Sequence, residues 1–538
     1  VTVVEKNATP SGLFGPRRYA ADPDTSRAGA VRGVILVATC AFCVIYGFLF
    51  SFFTPFLIMP FVVPVVTLAG VVTWALPDFG RAPTATLCVL FWAYLVLLVI
   101  WPNYIAIAPP GIPWITMVRI TGFPLTAVLL VSVSISPAFR SELVRVFAGV
   151  PLLWRLVVAF VVLQFLSIGF SPGPFDSLDK FIVAQIGWTA VFVTTAYLLY
   201  DQKGRVVRWA AVLWVMAVVI GLVGWAEHRS GHVLWANRLP KFLQIEDPTV
   251  LRSLAGQARA ATGIHRVQAT YSSSIALSEY MAMSLPFVVQ FAFGRYAWPI
   301  KLLAYATIPL IVLVVHWTDS RSGVIGCVIT LLIYTLAWSV LKWRSSKGSI
   351  LGPAIALSYP ITFIAAIAST FFVGRIRTAV WGGAAQHPST VSRITQYKMG
   401  IPKVLSHPWG HGIGYGGRSL HYLNPQGYQT IDTYYLSVAL EEGVFGFVVY
   451  YGMIAWAIYL AGLYAFRAAK LNNRDYTFFV PIGISLLSFF VICSVFSEQD
   501  VHPLMWMMLG AVAALVSRFR EEAPDGKNPK DVRVAAER

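Results

Sequence analysis

Trp209-Ala-Ala-Val-Leu-Trp-Val-Met-Ala-Val-Val-Ile-Gly-Leu-Val-Gly-Trp-Ala226 runs for eighteen residues without a charge. Lys203, Arg205 and Arg208 precede it, and Glu227-His228-Arg229 follows. As a helix it would cover about 27 Å at 1.5 Å per residue, close to the ~30 Å hydrocarbon core of a bilayer. Thirteen further apolar runs repeat the pattern. The full set is centred near residues 42, 66, 92, 125, 161, 190, 217, 282, 309, 332, 362, 453, 487 and 510. The whole chain agrees with this reading: of 538 residues, 57% are hydrophobic and 12% charged, with a mean hydropathy of +0.68. Soluble domains carry nearer a quarter of charged residues. A soluble enzyme, a secreted disulfide scaffold and a disordered tail are excluded. The expected fold is an all-α polytopic membrane protein with about 14 transmembrane helices and two long outer loops.

The segments follow from the runs. Residues 1–32 form a basic cytoplasmic tail, with no apolar core ending at a small-residue cleavage site. Residues 33–226 carry helices 1–7, 227–268 an outer loop, and 269–373 helices 8–11. A long outer loop fills 374–432, helices 12–14 fill 433–517, and 518–538 is a polar cytoplasmic tail. The net charge of +17 is scattered in ones to threes between apolar runs, a topology signal and not a nucleic-acid surface. With both tails inside, the short inner loops hold 15 Lys or Arg, and the short outer loops hold only Lys180 and Arg321. That asymmetry predicts a multi-pass membrane protein with both termini on the cytoplasmic side and its polar chemistry on the outer face. All nine histidines fall in outer segments or at outer span ends. The five cysteines, Cys40, Cys43, Cys88, Cys327 and Cys493, lie inside apolar runs and imply no disulfide framework.

Several outer residues are candidates for chemistry. Ser406-His-Pro-Trp-Gly-His-Gly-Ile-Gly-Tyr-Gly-Gly417 contains a GxGxxG spacing, but no strand precedes it and nucleotide cofactors are not expected on that face. Closely spaced glycines there either let backbone N–H groups converge on an anion or simply make a tight turn. His407 and His411 stand at i, i+4, yet the glycines argue against a helix and no third ligand has a recognisable spacing, so no metal is expected. Arg119, near the outer end of the fourth run, snorkels or pairs. Glu279, in the eighth run, is a functional candidate or a carboxyl bonded to neighbouring Ser or Tyr. Arg266, Arg321 and Arg393 all fall at outer boundaries. Guanidinium suits bidentate phosphate contact, and three on one face point to an anion site. Asp432 begins the twelfth run and suits a base or a sugar anchor; a helix N-cap is the alternative.

The order of these features resembles the O-antigen ligase and Wzy-type polysaccharide polymerase superfamily over roughly residues 262–460. Arg266-Val-Gln-Ala-Thr-Tyr-Ser-Ser-Ser-Ile-Ala-Leu-Ser-Glu-Tyr280, leading to Leu285-Pro286, is similar to one family stretch, and Asp319-Ser-Arg-Ser-Gly323 to another. Arg393 and Tyr397 followed by His407-Pro-Trp-Gly-His-Gly-Ile-Gly414 is like the family loop, and Asp432 through Gly446 is like its final helix start. Ligases place His and Asn where this chain has Asp432 and Thr433; an aspartate is more like the exopolysaccharide polymerase branch.

The resemblance implies a GT-C-like helical fold and an inverting, metal-independent glycosyltransferase without cofactor. Its substrate would be a polyprenyl-pyrophosphate-linked glycan drawn from the lipid bilayer, with a chain-length regulator as a candidate partner. It assigns Arg266, Arg393 and Arg321 to the pyrophosphate, and Asp432, with His421 as an alternative, to the base. His407, His411, Gly412, Gly414, Tyr415 and Glu441 are expected to bind the glycan or its pyrophosphate. Polymerase, ligase and lipid-linked-oligosaccharide flippase are the readings to separate.

Overall fold

The computed structural model describes residues 68–522 apart from short stretches, the longest being 109–113, 244–247, 259–262, 378–386, 424–426 and 493–499, together with four positions between 34 and 41. The run centred near 42, most of the run near 66, Cys40, Cys43, Cys493 and most of the two tails lie outside the described residues.

Each of the other twelve runs falls on a helix, and eleven of these are long and apolar enough to cross a membrane. The first is the shorter α1 (Thr84–Ile100). After the hairpin β1–β2 (Ala106–Ile107 with Ile115–Thr116) come α2 (Met117–Ile135), α3 (Pro137–Ala148) and α4 (Pro151–Ile168). Helix α5 (Pro174–Ala184) continues through a π turn, Gln185–Thr189, into α6 (Ala190–Asp201). The π turn is pinned by a polar chain: Thr189 donates to Gln185 at 2.6 Å, Gln185 to Gln164 at 3.1 Å, and Gln164 to Glu442 at 3.1 Å. Next are α7 (Arg205–Ser230), α8 (Pro248–Ala255), the hairpin β3–β4 (Gln257–Ala258 with His265–Arg266) and α9 (Ser274–Phe293). The chain continues with α10 (Trp298–Trp317), α11 (Arg321–Ser345) and α12 (Leu351–Phe372). Helices α13 (His387–Ser406), α14 (Gly416–Leu420) and α15 (Tyr434–Glu441) precede α16 (Gly443–Ala468), α17 (Phe479–Ile492) and α18 (His502–Glu522).

Two helices form the centre. All but Ile275 of residues 274–292 in α9 are buried, and α18 is buried almost throughout. Within hydrocarbon, helices associate through close packing of small residues rather than through the hydrophobic effect. That is visible where α11 meets α9. A Cβ on Gly323 would stand 2.6 Å from the Ser278 Cβ, and one on Gly326 would stand 2.7 Å from the Ala282 Cβ. On the perimeter, the apolar stretch of α12 has no buried residues and packs against α11.

At one end the bundle is locked by charge. Arg518 donates to Asp475 at 2.6 Å and to the carbonyls of Tyr200 at 3.2 Å, Gln202 at 3.1 Å and Leu199. Gly204 N–H donates to the same Asp475 oxygen at 2.7 Å. The Arg518 and Asp475 side chains are 5% and 2% exposed. Helix α18 runs on through Glu522, and Arg518 within it finds a buried counter-ion in Asp475.

Candidate functional site

The other end of the bundle gathers most of the expected site residues, and the first of them is placed by a carboxylate. Glu227, in the last turn of α7 and 1% exposed, accepts from Ala269 N–H at 2.6 Å and Gln268 N–H at 3.2 Å. His265 Nε2 lies 2.8 Å from the same carboxylate. Ala269 takes a positive φ of 48°, so this anchor holds the backbone in a conformation that residues other than glycine rarely adopt. The segment is thereby pressed on the end of α10, where Val267 N–H donates to Trp317 O at 3.3 Å. Arg266 Nε then donates to Thr318 O at 2.9 Å. Three residues on, after a turn with Asp319 at φ 48°, Arg321 opens α11.

Arg393, on α13, completes a cationic group. Burial lowers its pKa, Asp432 opposes that shift, and the like charge of Arg321 adds to it. Arg321 and Asp432 are therefore each within electrostatic reach of Arg393, and the N-terminal end of the α11 dipole adds positive potential. Asp432 does not cap α15: the N-cap position is Thr433, whose side chain makes no capping bond. Instead the Asp432 carboxylate accepts from Ser392 at 2.7 Å, and its N–H donates to Gln396 at 2.8 Å. Serine and glutamine one turn apart on α13 thus hold the carboxylate beside Arg393.

The glycine-rich loop makes a second group. It zips onto the end of α15: His411 N–H donates to Leu440 O at 2.8 Å, Gly412 N–H to Glu441 O at 3.0 Å, and Val444 N–H to Pro408 O at 3.0 Å. Gly414 N–H donates to the Glu441 carboxylate at 3.0 Å, and the Ser437 hydroxyl donates to it at 2.9 Å. The anion that this loop meets in the structure is thus Glu441 itself. Burial raises the Glu441 pKa, and the Gly414 and Gly416 N–H groups and the Ser437 hydroxyl counter that shift. The Tyr415 hydroxyl donates to Asp176 at 3.1 Å, and Arg418 reaches both groups at 3.1 Å. Gly414 and Glu441 also form one wall of a cavity of about 360 Å³.

The histidines stand apart from the arginines. His421 Nδ1 lies 3.3 Å from Lys403 Nζ, and Lys403 is ten residues beyond Arg393 on α13, about 15 Å along a helix. His407 and His411 lie beyond Lys403, with rings 4.7 Å apart. Burial lowers the His411 pKa, the bond to Leu440 O opposes that shift, and His407 and Lys403 add to it. Among the described residues no three His, Cys, Asp or Glu converge in a metal-like group. Arg119 bonds Trp114 O at 2.8 Å and lines the cavity, while Glu279 is fully buried in α9.

Sequence reasoning missed Glu227, Ser392 and Gln396. Glu227 did carry a signal, as the only acid between Asp201 and Glu246, placed at the end of an apolar run.

Residues 306–451 match a family model described as O-antigen ligase. That stretch contains Arg321, Arg393, the glycine-rich loop, Asp432 and Glu441. No curated protein matches the chain.

Proposed function

Through the O-antigen ligase domain at residues 306–451 the chain belongs to the O-antigen ligase/Wzy superfamily, and from that premise we propose that it polymerises polyprenyl-pyrophosphate-linked oligosaccharides into a polysaccharide on the periplasmic face of the bacterial inner membrane. The observation that carries this reading is the meeting of Arg321, Arg393 and Asp432 where Arg266 is docked. A cationic cluster suits a pyrophosphate. A carboxylate held against it suits the proton of an attacking hydroxyl.

In the proposed step the acceptor hydroxyl oxygen attacks the anomeric carbon of the donor sugar. The bond from that carbon to pyrophosphate breaks, and its electron pair leaves with the pyrophosphate. Arg266, Arg321 and Arg393 take up the charge that develops, and Asp432 takes the hydroxyl proton. Single displacement inverts the anomeric centre. His421 sits beside Lys403, about 15 Å of helix beyond Arg393, whereas Asp432 is held beside Arg393, which favours Asp432 as the base. On this reading guanidinium groups supply the positive charge, and no metal is required. The helical architecture suits a GT-C-like transferase, by analogy of fold.

The description of the matched family favours a second reading, transfer of a finished glycan to a lipid acceptor by a ligase. The purified protein mixed with a polyprenyl-pyrophosphate oligosaccharide decides between them. A ladder of lengthening glycans is expected. A single transfer to an added lipid acceptor would make the protein a ligase. Translocation of lipid-linked glycan in proteoliposomes without new glycosidic bonds would overturn the transferase reading.

A further inference from the structure

The cavity of about 360 Å³ lies within the range of roughly 300–1,000 Å³ typical of small-ligand sites. It is lined by Asn103, Trp114, Arg119, Lys180, Trp188 and Asp500, with Glu441 and Gly414 closing one side. Arg119 and Lys180 precede the matched stretch 306–451, so this site is built largely outside the family domain.

We propose that this cavity is a subsite for a carboxylate-bearing sugar of the glycan substrate, gripped by Arg119 and Lys180; it rests on the transferase reading above. Three features converge on that ligand class. First, the cavity is rich in unspent donors. The Arg119 guanidinium makes one hydrogen bond among the described residues, to Trp114 O, which leaves most of its five N–H groups for a ligand. Lys180 makes no hydrogen bond or ion pair among the described residues. The two carboxylates at the site are already served. Glu441 accepts from Gly414 N–H and Ser437, and Asp500 accepts from the Ser272 hydroxyl at 2.5 Å and Ser272 N–H at 3.2 Å. Second, Asn103 lines the cavity, a polar side chain suited to a sugar hydroxyl. Third, the indoles of Trp114 and Trp188 line the cavity. Trp188 is fixed by stacking on Trp506 at 6.0 Å between ring centroids.

A phosphate would satisfy the cations but offers no apolar face to the indoles. A neutral sugar would suit Asn103 and the indoles but would give the unspent N–H donors of Arg119 and Lys180 no anionic acceptor. An acidic sugar meets all three demands. The position also fits a glycan. Glu441 lies nine residues after Asp432, roughly 13 Å at helical rise, and Asp500 is tied to Ser272, six residues after Arg266. The cavity would hold a sugar unit one or two removed from the one that reacts.

The test uses the full chain in lipid nanodiscs and three probes: cellobiose, the matching disaccharide ending in glucuronic acid, and inorganic phosphate. Binding is measured by titration calorimetry, with thermal unfolding as a check on folding. The acidic disaccharide should bind at least about tenfold more tightly than cellobiose. Arg119→Gln and Lys180→Gln should each erase most of that preference, whereas Asp432→Asn should keep it. Equal affinity for the two disaccharides, or a preference untouched in both the Arg119 and Lys180 variants, would overturn the proposal. Phosphate binding as tight as that of the acidic disaccharide would overturn it in favour of a plain anion site. A polymer ladder without acidic preference removes the subsite alone. Acidic preference with no ladder and no ligation product removes the transferase reading.

Discussion

Asp432, Arg393 and Glu227 show how differently single side chains enter the site. Removing one preorganised donor from a developing negative charge typically costs about 10²–10³ in rate. Arg393→Ala should therefore lose glycan transfer by about that factor while the protein still inserts and purifies normally. Arg393→Lys should recover little, because ammonium cannot reproduce the planar fork. Near-wild-type turnover in either variant would remove Arg393 from the pyrophosphate clamp. Asp432→Asn keeps the acceptor for Ser392 but loses the base, so turnover should fall by roughly 10²–10⁴. Glu227 acts at one remove, through the bonds it makes to His265, Gln268 and Ala269. Glu227→Ala should weaken donor binding by releasing Arg266, seen as a raised KM with a smaller change in kcat, and Glu227→Gln should retain more of the wild-type KM. Equal KM values in all three proteins would show that Arg266 is positioned by other means.

At the scale of elements, the junction between the glycine-rich loop and α15 is the most exacting part of the fold. Gly410 and Gly443 both have positive φ, 86° and 73°, and face each other. A Cβ on Gly410 would lie 2.2 Å from Glu441 O, and one on Gly443 would lie 2.0 Å from Pro408 O. Either alanine substitution should separate the loop from α15, adding backbone strain of about 1–3 kcal/mol to the steric clash. A thermal unfolding temperature unchanged in both variants would contradict that. The same junction should respond to pH through His411. The folded protein holds this histidine below its ordinary value of 6.5, so protonation favours the opened junction. Its contribution should be complete above about pH 6.5 and decline as pH falls below it. The hydrogen-exchange protection factors of the His411 and Gly412 amides, which remove the intrinsic slowing of exchange in acid, should fall over that range, and His411→Gln should flatten the response.

Across the whole molecule, Asp475 and Arg518 tie the segment between α6 and α7 to the end of α18, far from the arginine cluster in the bundle. Leaving one charge of a buried pair without its partner costs about 3–5 kcal/mol, while replacing both by apolar groups is often close to neutral. Arg518→Leu should thus lower the unfolding temperature in detergent more than the double variant Asp475→Leu/Arg518→Leu. The reverse order would mean that the pair contributes through its carbonyl contacts. The apolar runs were legible because hydrocarbon thickness imposes a length that sequence displays directly, as in Trp209–Ala226. Arg321, Arg393 and Asp432 were legible as outward-lying charges, although their meeting depends on how α11, α13 and α15 pack. Arg119, Lys180, Glu441 and Asp500 line one cavity from four distant places in the chain, and no local pattern could announce that.

The π turn at Gln185–Thr189 gives this architecture an evolutionary handle. A π turn is, in effect, one residue inserted into an α-helix, and it rotates everything on one side of it by about 100° relative to the other. Here the rotated part is α5, which carries Lys180 to the cavity wall, while α6 keeps its packing on α18. Deleting Ile186, itself a lining residue, should heal the helix and swing Lys180 off Gly414 without disturbing α6. The deletion variant should then fold, yet lose the preference for the acidic disaccharide. An ancestral helix could have changed its ligand selectivity by gaining a single codon in this wall of the cavity.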